Sequence, residues 1–118
     1  MSAVEYVGET DTIHIVTETR DGREIVTPIW GVVVDGVPYI RNGYGESSKW
    51  YARVRHTGRI AFAEGSKRYP ATTTLVDDPA ELDRVDAAYR AKYRGQEPGV
   101  TDVNAPAVRR YTLRVTPA

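Results

Sequence analysis

Three tight-turn dipeptides divide the first two-thirds of this 118-residue chain into short segments rich in β-branched residues. The dipeptides are Asp21-Gly22, Asp35-Gly36 and Gly65-Ser66. An Asp-Gly pair supplies the positive φ angles of a type I′ hairpin, so we expect a strand on either side of it. The first two turns therefore predict a meander of three antiparallel strands over residues 12–19, 23–35 and 37–41. Pro28 removes one ladder donor, which predicts a bulge or a sheet edge at that residue.

The rest of the chain mixes helical and strand patterns. Ser47 or Ser48 can cap a helix over about 49–56 that ends at Gly58. Two strands, 59–64 and 67–76, flank the Gly65-Ser66 turn. A second helix begins at Asp78-Pro79 and carries an apolar stripe at helical spacing, made of Leu82, Val85, Tyr89 and Tyr93. Residues 96–107 are predicted as a loop and 110–115 as a last strand.

These elements predict a mainly β fold of about six antiparallel strands with two helices. A sheet of this width has edges to protect, and closing it fully or partly into a barrel removes them. The sequence contains no repeat, low-complexity tract or linker, so we expect residues 1–118 to form a single domain.

Composition and charge exclude several functional classes. Sixteen basic residues balance sixteen acidic ones, which argues against a protein built mainly to hold nucleic acid. The lack of cysteine excludes thiolate metal sites and thiol catalysis, and neither histidine has a second ligand at metal-binding spacing. No apolar run is long enough for a membrane helix, and the N-terminus does not resemble a signal peptide. We therefore expect a cytoplasmic protein without a metal site.

The segment from Arg41 to Trp50 carries the strongest functional signal. It combines cations, hydroxyl groups and glycines with a predicted helix start, where exposed N–H groups favour an anion such as a phosphate. Trp50 offers an aromatic surface for a flat heterocycle. Each feature also has a purely structural interpretation. The cations can lie on a solvated surface, and the serines can cap the helix. Both tryptophans can pack in the core, which is the commoner role of tryptophan.

Charge is distributed unevenly along the chain. Residues 49–68 carry six basic side chains against one acidic, whereas residues 77–86 carry five acidic against one basic. The asymmetry can steer an anionic ligand, or the two segments can meet across a dimer interface. We favour the second interpretation.

Two sequence segments, YIRNGYGESSKWYARV and RIAFAEGSKRYPATTTLVDDP, resemble those of the flavin-binding split β-barrels. That superfamily includes pyridoxamine-phosphate-oxidase-like proteins and deazaflavin-dependent reductases. A third segment, DRVDAAYRAKYRGQEPG, resembles an uncharacterised subfamily of short split-barrel proteins. The resemblance spans about residues 12–116. It implies a six-stranded antiparallel split barrel with two helices, and a homodimeric oxidoreductase with FMN or a deazaflavin at the subunit interface.

The same resemblance implies a set of cofactor-binding residues. They are Thr27, Trp30, Arg41, Ser47, Ser48, Lys49 and Trp50. Ser48 and Lys49 would contact the cofactor phosphate with Arg41 and Ser47 nearby, and the strand from Thr27 to Trp30 would face the ring system. Trp50 would pack behind the loop or against the ligand. The resemblance identifies no catalytic residue.

Two departures from the family pattern motivate an alternative function. Lys49 stands where the deazaflavin reductases have a proline, and residues 46–49 offer one cation where the oxidases have two. The alternative is a cofactor-free protein that binds or converts a small aromatic or acidic metabolite, and a dimer partner without a ligand is a third possibility. His14, between Ile13 and Ile15, can be a general acid or base, but we favour a structural role.

Overall fold

The computed structural model describes residues 2–43 and 48–118. Within them the chain forms one curled, seven-stranded antiparallel sheet with four α-helices. The strands are β1 (Ile13–Glu18), β2 (Glu24–Ile29), β3 (Gly31–Val34), β4 (Val37–Arg41), β5 (Arg59–Glu64), β6 (Lys67–Leu75) and β7 (Thr112–Pro117). The helices are α1 (Ala3–Glu9), α2 (Lys49–Thr57), α3 (Pro79–Lys92) and α4 (Gly99–Val103), and a 3-10 turn (Arg109–Tyr111) precedes β7. The predicted mainly β, antiparallel fold is confirmed.

The strand order explains why the sheet curls. It runs β2-β1-β5-β6-β7-β4-β3, so β2 and β3 form the two edges. Only Trp30 separates these two strands in sequence. One extended residue spans about 3.4 Å, so the two edges must approach each other and the sheet bends into a barrel. Pro28 lies on β2, which confirms the predicted sheet edge at that residue.

The strand count differs from the prediction because the segment 23–35 is two strands rather than one. The break falls at Trp30, whose ring stacks on Tyr93 of α3 with 4.0 Å between ring centroids. The next residue, Gly31, lies so close to β1 that an added Cβ would be 2.7 Å from Cδ1 of Ile13. Tertiary packing on both sides of the sheet thus interrupts a run that is continuously apolar in sequence.

The two predicted helices are confirmed, together with the start of each and the end of the first. Ser48 caps α2, Gly58 ends it with φ of 73°, and Asp78 caps α3 through the N–H of Glu81. Two further helices were not predicted. Helix α1 begins with a reciprocal capping box between Ser2 and Glu5, and α4 lies within the predicted loop 96–107.

The buried residues form two clusters, one on each side of the sheet. The barrel interior is filled from the strands and from α1 and α2, chiefly by Tyr6, Val7, Ile13, Ile15, Ile40, Trp50, Val54, Phe62, Leu113 and Val115. The second cluster lies between α3, α4 and the outer face of β3 and β4, and it contains Val32, Tyr39, Val85, Tyr89, Tyr93 and Val103. The predicted apolar stripe of α3 is therefore core. None of the helices in the described ranges is long and apolar enough to cross a membrane.

Candidate functional site

The start of α2 holds three of the predicted cofactor-binding residues. The Ser48 hydroxyl accepts a hydrogen bond from the Tyr51 N–H at 3.4 Å, so it caps the helix. Lys49, the first helical residue, is exposed. Trp50 is 6% exposed and lies in the barrel core. An exposed ammonium group at the positive end of a helix is suited to an anion, whereas Trp50 anchors the helix beneath it.

Arg41 is enclosed by other parts of the chain. Its Nε donates to Oγ1 of Thr112 at 2.7 Å, and its Nη1 lies 2.7 Å from Oδ1 of Asp86. Nη1 also donates to the Val103 carbonyl at 3.2 Å and to Oδ1 of Asn104 at 3.1 Å. These contacts direct the guanidinium group toward α3 and α4. Its Nη2 is buried and has no hydrogen-bond partner within the described ranges, so the two N–H groups of this nitrogen remain for a water or a ligand oxygen.

Trp30 and Thr27 lie on different sides of the sheet. Trp30 is stacked against Tyr93, and Gly99 of α4 packs on it so closely that a Cβ there would be 2.7 Å from Cη2. Thr27 pairs with Ile15, a barrel-core residue, and so faces the barrel side of β2. The structure thus groups Ser48, Lys49 and Trp50 at the start of α2, and it places Trp30 on the other side of the sheet from the Trp50 ring. Ser47 lies outside the described residues.

His14 faces outward from β1. Its side chain is exposed, on the face opposite Ile13 and Ile15 as the alternation predicts. Its backbone N–H donates to the Tyr6 hydroxyl at 3.0 Å, and that hydroxyl donates to the Ala63 carbonyl at 2.8 Å. Tyr6 therefore joins α1 to β1 and β5. Among the described residues, no group of three or more His, Asp or Glu side chains is placed to hold a metal ion.

The acidic segment 77–86 is largely neutralised within the chain. Glu81 accepts hydrogen bonds from Arg114 at 2.7 and 2.9 Å and from the Tyr39 hydroxyl at 2.6 Å. The Arg114 guanidinium and then the Tyr39 hydroxyl hold the pKa of the Glu81 carboxyl below its usual value. Asp83 and Asp86 pair with arginines in the same way, Asp83 with Arg109 and Asp86 with Arg41 and Arg109. None of these arginines belongs to the basic segment 49–68. The three carboxylates are therefore neutralised without the predicted contact between segments 49–68 and 77–86 across a dimer interface.

A shallow groove of about 290 Å³ lies on the outer face of β1, β5 and β6, beside the end of α2. Val16, Ala61 and Pro70 are among the apolar residues that line it. Its charged lining residues are Glu18, Glu24, Arg59 and Arg68. The groove touches Thr57, which is eight residues after Lys49 and so about 12 Å away along the helix. Arg59 and Arg68 belong to the basic segment 49–68, and the strand register shows that both face outward.

A sequence model described as "Uncharacterized protein conserved in bacteria (DUF2255)" matches residues 3–115. The chain belongs to this family. No curated protein matches the sequence.

Solved structures similar to this DUF2255 chain include three proteins with names that indicate a function. A putative pyridoxamine 5′-phosphate oxidase from Listeria innocua is 10% identical, with a TM-score of 0.67 over 97% of this chain and 89% of that one. An F420 reductase is 15% identical, with a TM-score of 0.60 over 100% and 95%. An FAD-binding protein from Mesorhizobium loti is 15% identical, with a TM-score of 0.64 over 100% and 91%. At identities this low the similarity shows the fold alone. The shared fold confirms the predicted resemblance to the split β-barrels.

Proposed function

We propose that this protein is a small oxidoreductase that binds FMN or a deazaflavin at the interface of a homodimer. Two observations support the proposal. The fold is shared over nearly the whole chain with proteins named as an F420 reductase and as FAD-binding. The exposed Lys49, at the serine-capped start of α2, is the observation on this chain that carries the proposal.

The residues at the start of α2 fit the phosphate end of such a cofactor. Lys49 provides a mobile ammonium group, and the helix N-terminus adds partial positive charge in the same direction. Ser48 fixes the first helical turn, and the burial of Trp50 fixes the helix against the barrel. A bound flavin or deazaflavin supplies the redox chemistry, while the protein binds it, orients it and excludes water.

The proposal is tested by the absorbance spectrum of the purified protein and by thermal shifts with FMN and with F420. We expect one cofactor to raise the melting temperature in a dose-dependent way. Lys49→Ala is expected to weaken that binding about 10-fold to 100-fold, because a hydrogen bond to a charged group is lost. Arg90→Ala, which removes an exposed cation from α3, is the matched control and is expected to bind normally. A colourless protein that responds to neither cofactor would contradict the proposal.

A second candidate is a cofactor-free protein that binds or converts a small aromatic or acidic metabolite. The enclosure of Arg41 favours this second candidate. Of the predicted cofactor-binding residues that the structure describes, Lys49 is then the one exposed cation that could hold a phosphate. Under this hypothesis neither FMN nor F420 changes the melting temperature, and Lys49→Ala changes no cofactor binding. The same spectra and thermal shifts therefore separate the two candidates.

A further inference from the structure

An apolar row crosses the outer face of four neighbouring strands. Val26 of β2 pairs with Val16 of β1, Val16 pairs with Ala61 of β5, and Ala61 pairs with Pro70 of β6. Val26 is 51% exposed, which makes it one of two exposed large apolar side chains in the described part of the chain. Pro70 is also exposed, whereas Val16 is 4% exposed and Ala61 is half-buried between them. The two ends of the row, unlike the α3-covered face of β3 and β4, therefore leave apolar surface in water.

Opposite charges lie beside this row on the two central strands. The β1–β5 register pairs His14 with Ala63 and Val16 with Ala61, so it brings Glu18 level with Arg59 two residues further on. Both residues are exposed and both line the groove. Acidic and basic side chains therefore stand side by side, one on each side of the line between β1 and β5.

This arrangement is complementary to itself. A two-fold axis parallel to the strands, between β1 and β5, sets β1 of one copy against β5 of the other. Glu18 then faces Arg59 of the partner subunit, and Arg59 faces the partner's Glu18, as an isologous interface requires. The same rotation places the apolar row of one copy over the apolar row of the other. It also keeps the strands of the two copies aligned, as in face-to-face sheet packing.

We infer that the outer face of β2, β1, β5 and β6 binds a second copy of this chain, with two reciprocal Glu18–Arg59 ion pairs along one side of the apolar row. The inference identifies the partner surface for the homodimer of the proposed function and rests on that part of it. It does not depend on the cofactor. Charge complementarity selects a second copy as the occupant, since both members of each ion pair come from the same face.

Sedimentation velocity on the cofactor-free protein tests the interface. We expect the unmodified chain to be a dimer, and Glu18→Arg and Arg59→Glu each to weaken dimerisation at least 10-fold, because each sets like charges against one another. An equimolar mixture of the two variants is expected to form heterodimers, detected by native mass spectrometry. In the mixture, opposite charges face each other only between two chains and never within one chain. Recovery of the dimer would therefore show that the ion pairs form between subunits.

Two further variants control the experiment. Arg90→Glu makes the same charge change on α3 and is expected to leave the dimer intact. Val26→Asp changes an exposed side chain of the row and is expected to give folded monomers even if a charge variant unfolds. Any one of three results would overturn the inference. The unmodified chain is a monomer, the face variants leave the dimer unaffected, or the folded charge variants do not form heterodimers on mixing. FMN and F420 binding is measured separately, so a dimer that binds neither cofactor contradicts the proposed function alone.

Discussion

Asp86 of α3 forms a buried ion pair with Arg41 of β4, with 2.7 Å between Oδ1 and Nη1. The Arg41 side chain is 0% exposed and that of Asp86 is 12% exposed. The pair connects the sheet to the helix that covers it. The same contact directs the guanidinium group of Arg41, which was predicted to lie near the cofactor phosphate, toward α3 and α4.

Asp86→Ala is expected to destabilise the fold by about 3 kcal/mol, because it leaves the Arg41 charge buried without its counter-ion. Urea unfolding measures the loss. Asp83→Ala is the matched control, since Asp83 is exposed and pairs with Arg109 at the surface, and its effect is expected to stay below about 1 kcal/mol. Equal losses of stability in the two variants would show that the buried ion pair contributes no more than the exposed one.

Glu81→Gln is expected to cost about 2 kcal/mol at pH 7, because hydrogen bonds to a charged carboxylate are lost. The pKa of Glu81 is lower in the folded chain than in the unfolded one, so the native state binds fewer protons. Its contribution to stability is therefore complete above pH of about 4.5 and is lost as the pH falls through the folded pKa. Unfolding at pH 7 and pH 3 checks this, and a difference that does not shrink in acid would refute it. Tyr39→Phe, which removes one of the bonds, is expected to lose less.

Lys92 makes the stability of the fold depend on pH in the alkaline range. Its Nζ donates to the carbonyls of Val7 and Gly31, both at 2.6 Å, and burial lowers its pKa to about 8. The folded pKa lies below the ordinary value of 10.5, so the folded chain releases this proton first, and the Lys92 contribution to stability increases from pH 8 to pH 10.5. The stability difference between the unmodified chain and Lys92→Met is expected to grow over that range. Arg90→Met is the control, because an arginine side chain does not titrate there.

Gly99→Ala is expected to destabilise the packing of α4 by about 1–3 kcal/mol. The new methyl group would lie 2.7 Å from Cη2 of Trp30, whose ring is held against Tyr93 and cannot yield easily. Tryptophan fluorescence during urea unfolding reports the change. Gly8→Ala is the matched control, since its Cβ would meet Val33 at an ordinary 3.5 Å and alanine favours a helix interior. A destabilised Gly8→Ala variant with an unchanged Gly99→Ala variant would contradict the packing argument.

Local chemistry explains which elements could be predicted from the sequence. Asp78-Pro79 and Gly58 mark helix ends through capping and backbone conformation, which depend on neighbouring residues alone. At Asp35-Gly36 both φ angles are positive, 51° and 78°, as a type I′ turn requires. At Asp21-Gly22 only Gly22 has a positive φ, so the type I′ prediction is wrong there. The short helix α1 was missed although its Ser2 and Glu5 capping signature is present in the sequence.

The candidate site was harder to predict because it depends on which way strand residues face. Arg41 and Lys49 are close in sequence, but Arg41 ends a strand on the side covered by α3, and nothing local to it indicates where α3 packs. The break at Trp30 likewise comes from Tyr93, 63 residues later. Arg59 stands level with Glu18 only because β5 pairs with β1, which is a long-range register.

The position of β7 has a consequence for synthesis of the chain. It pairs with β6 on one side and β4 on the other, although both are made much earlier. Until residues 112–117 have left the ribosome, a growing chain presents two unpaired strand edges to its surroundings. Such edges are templates for aggregation, so the docking of β7 covers two strand edges that would otherwise be open to pairing with another chain.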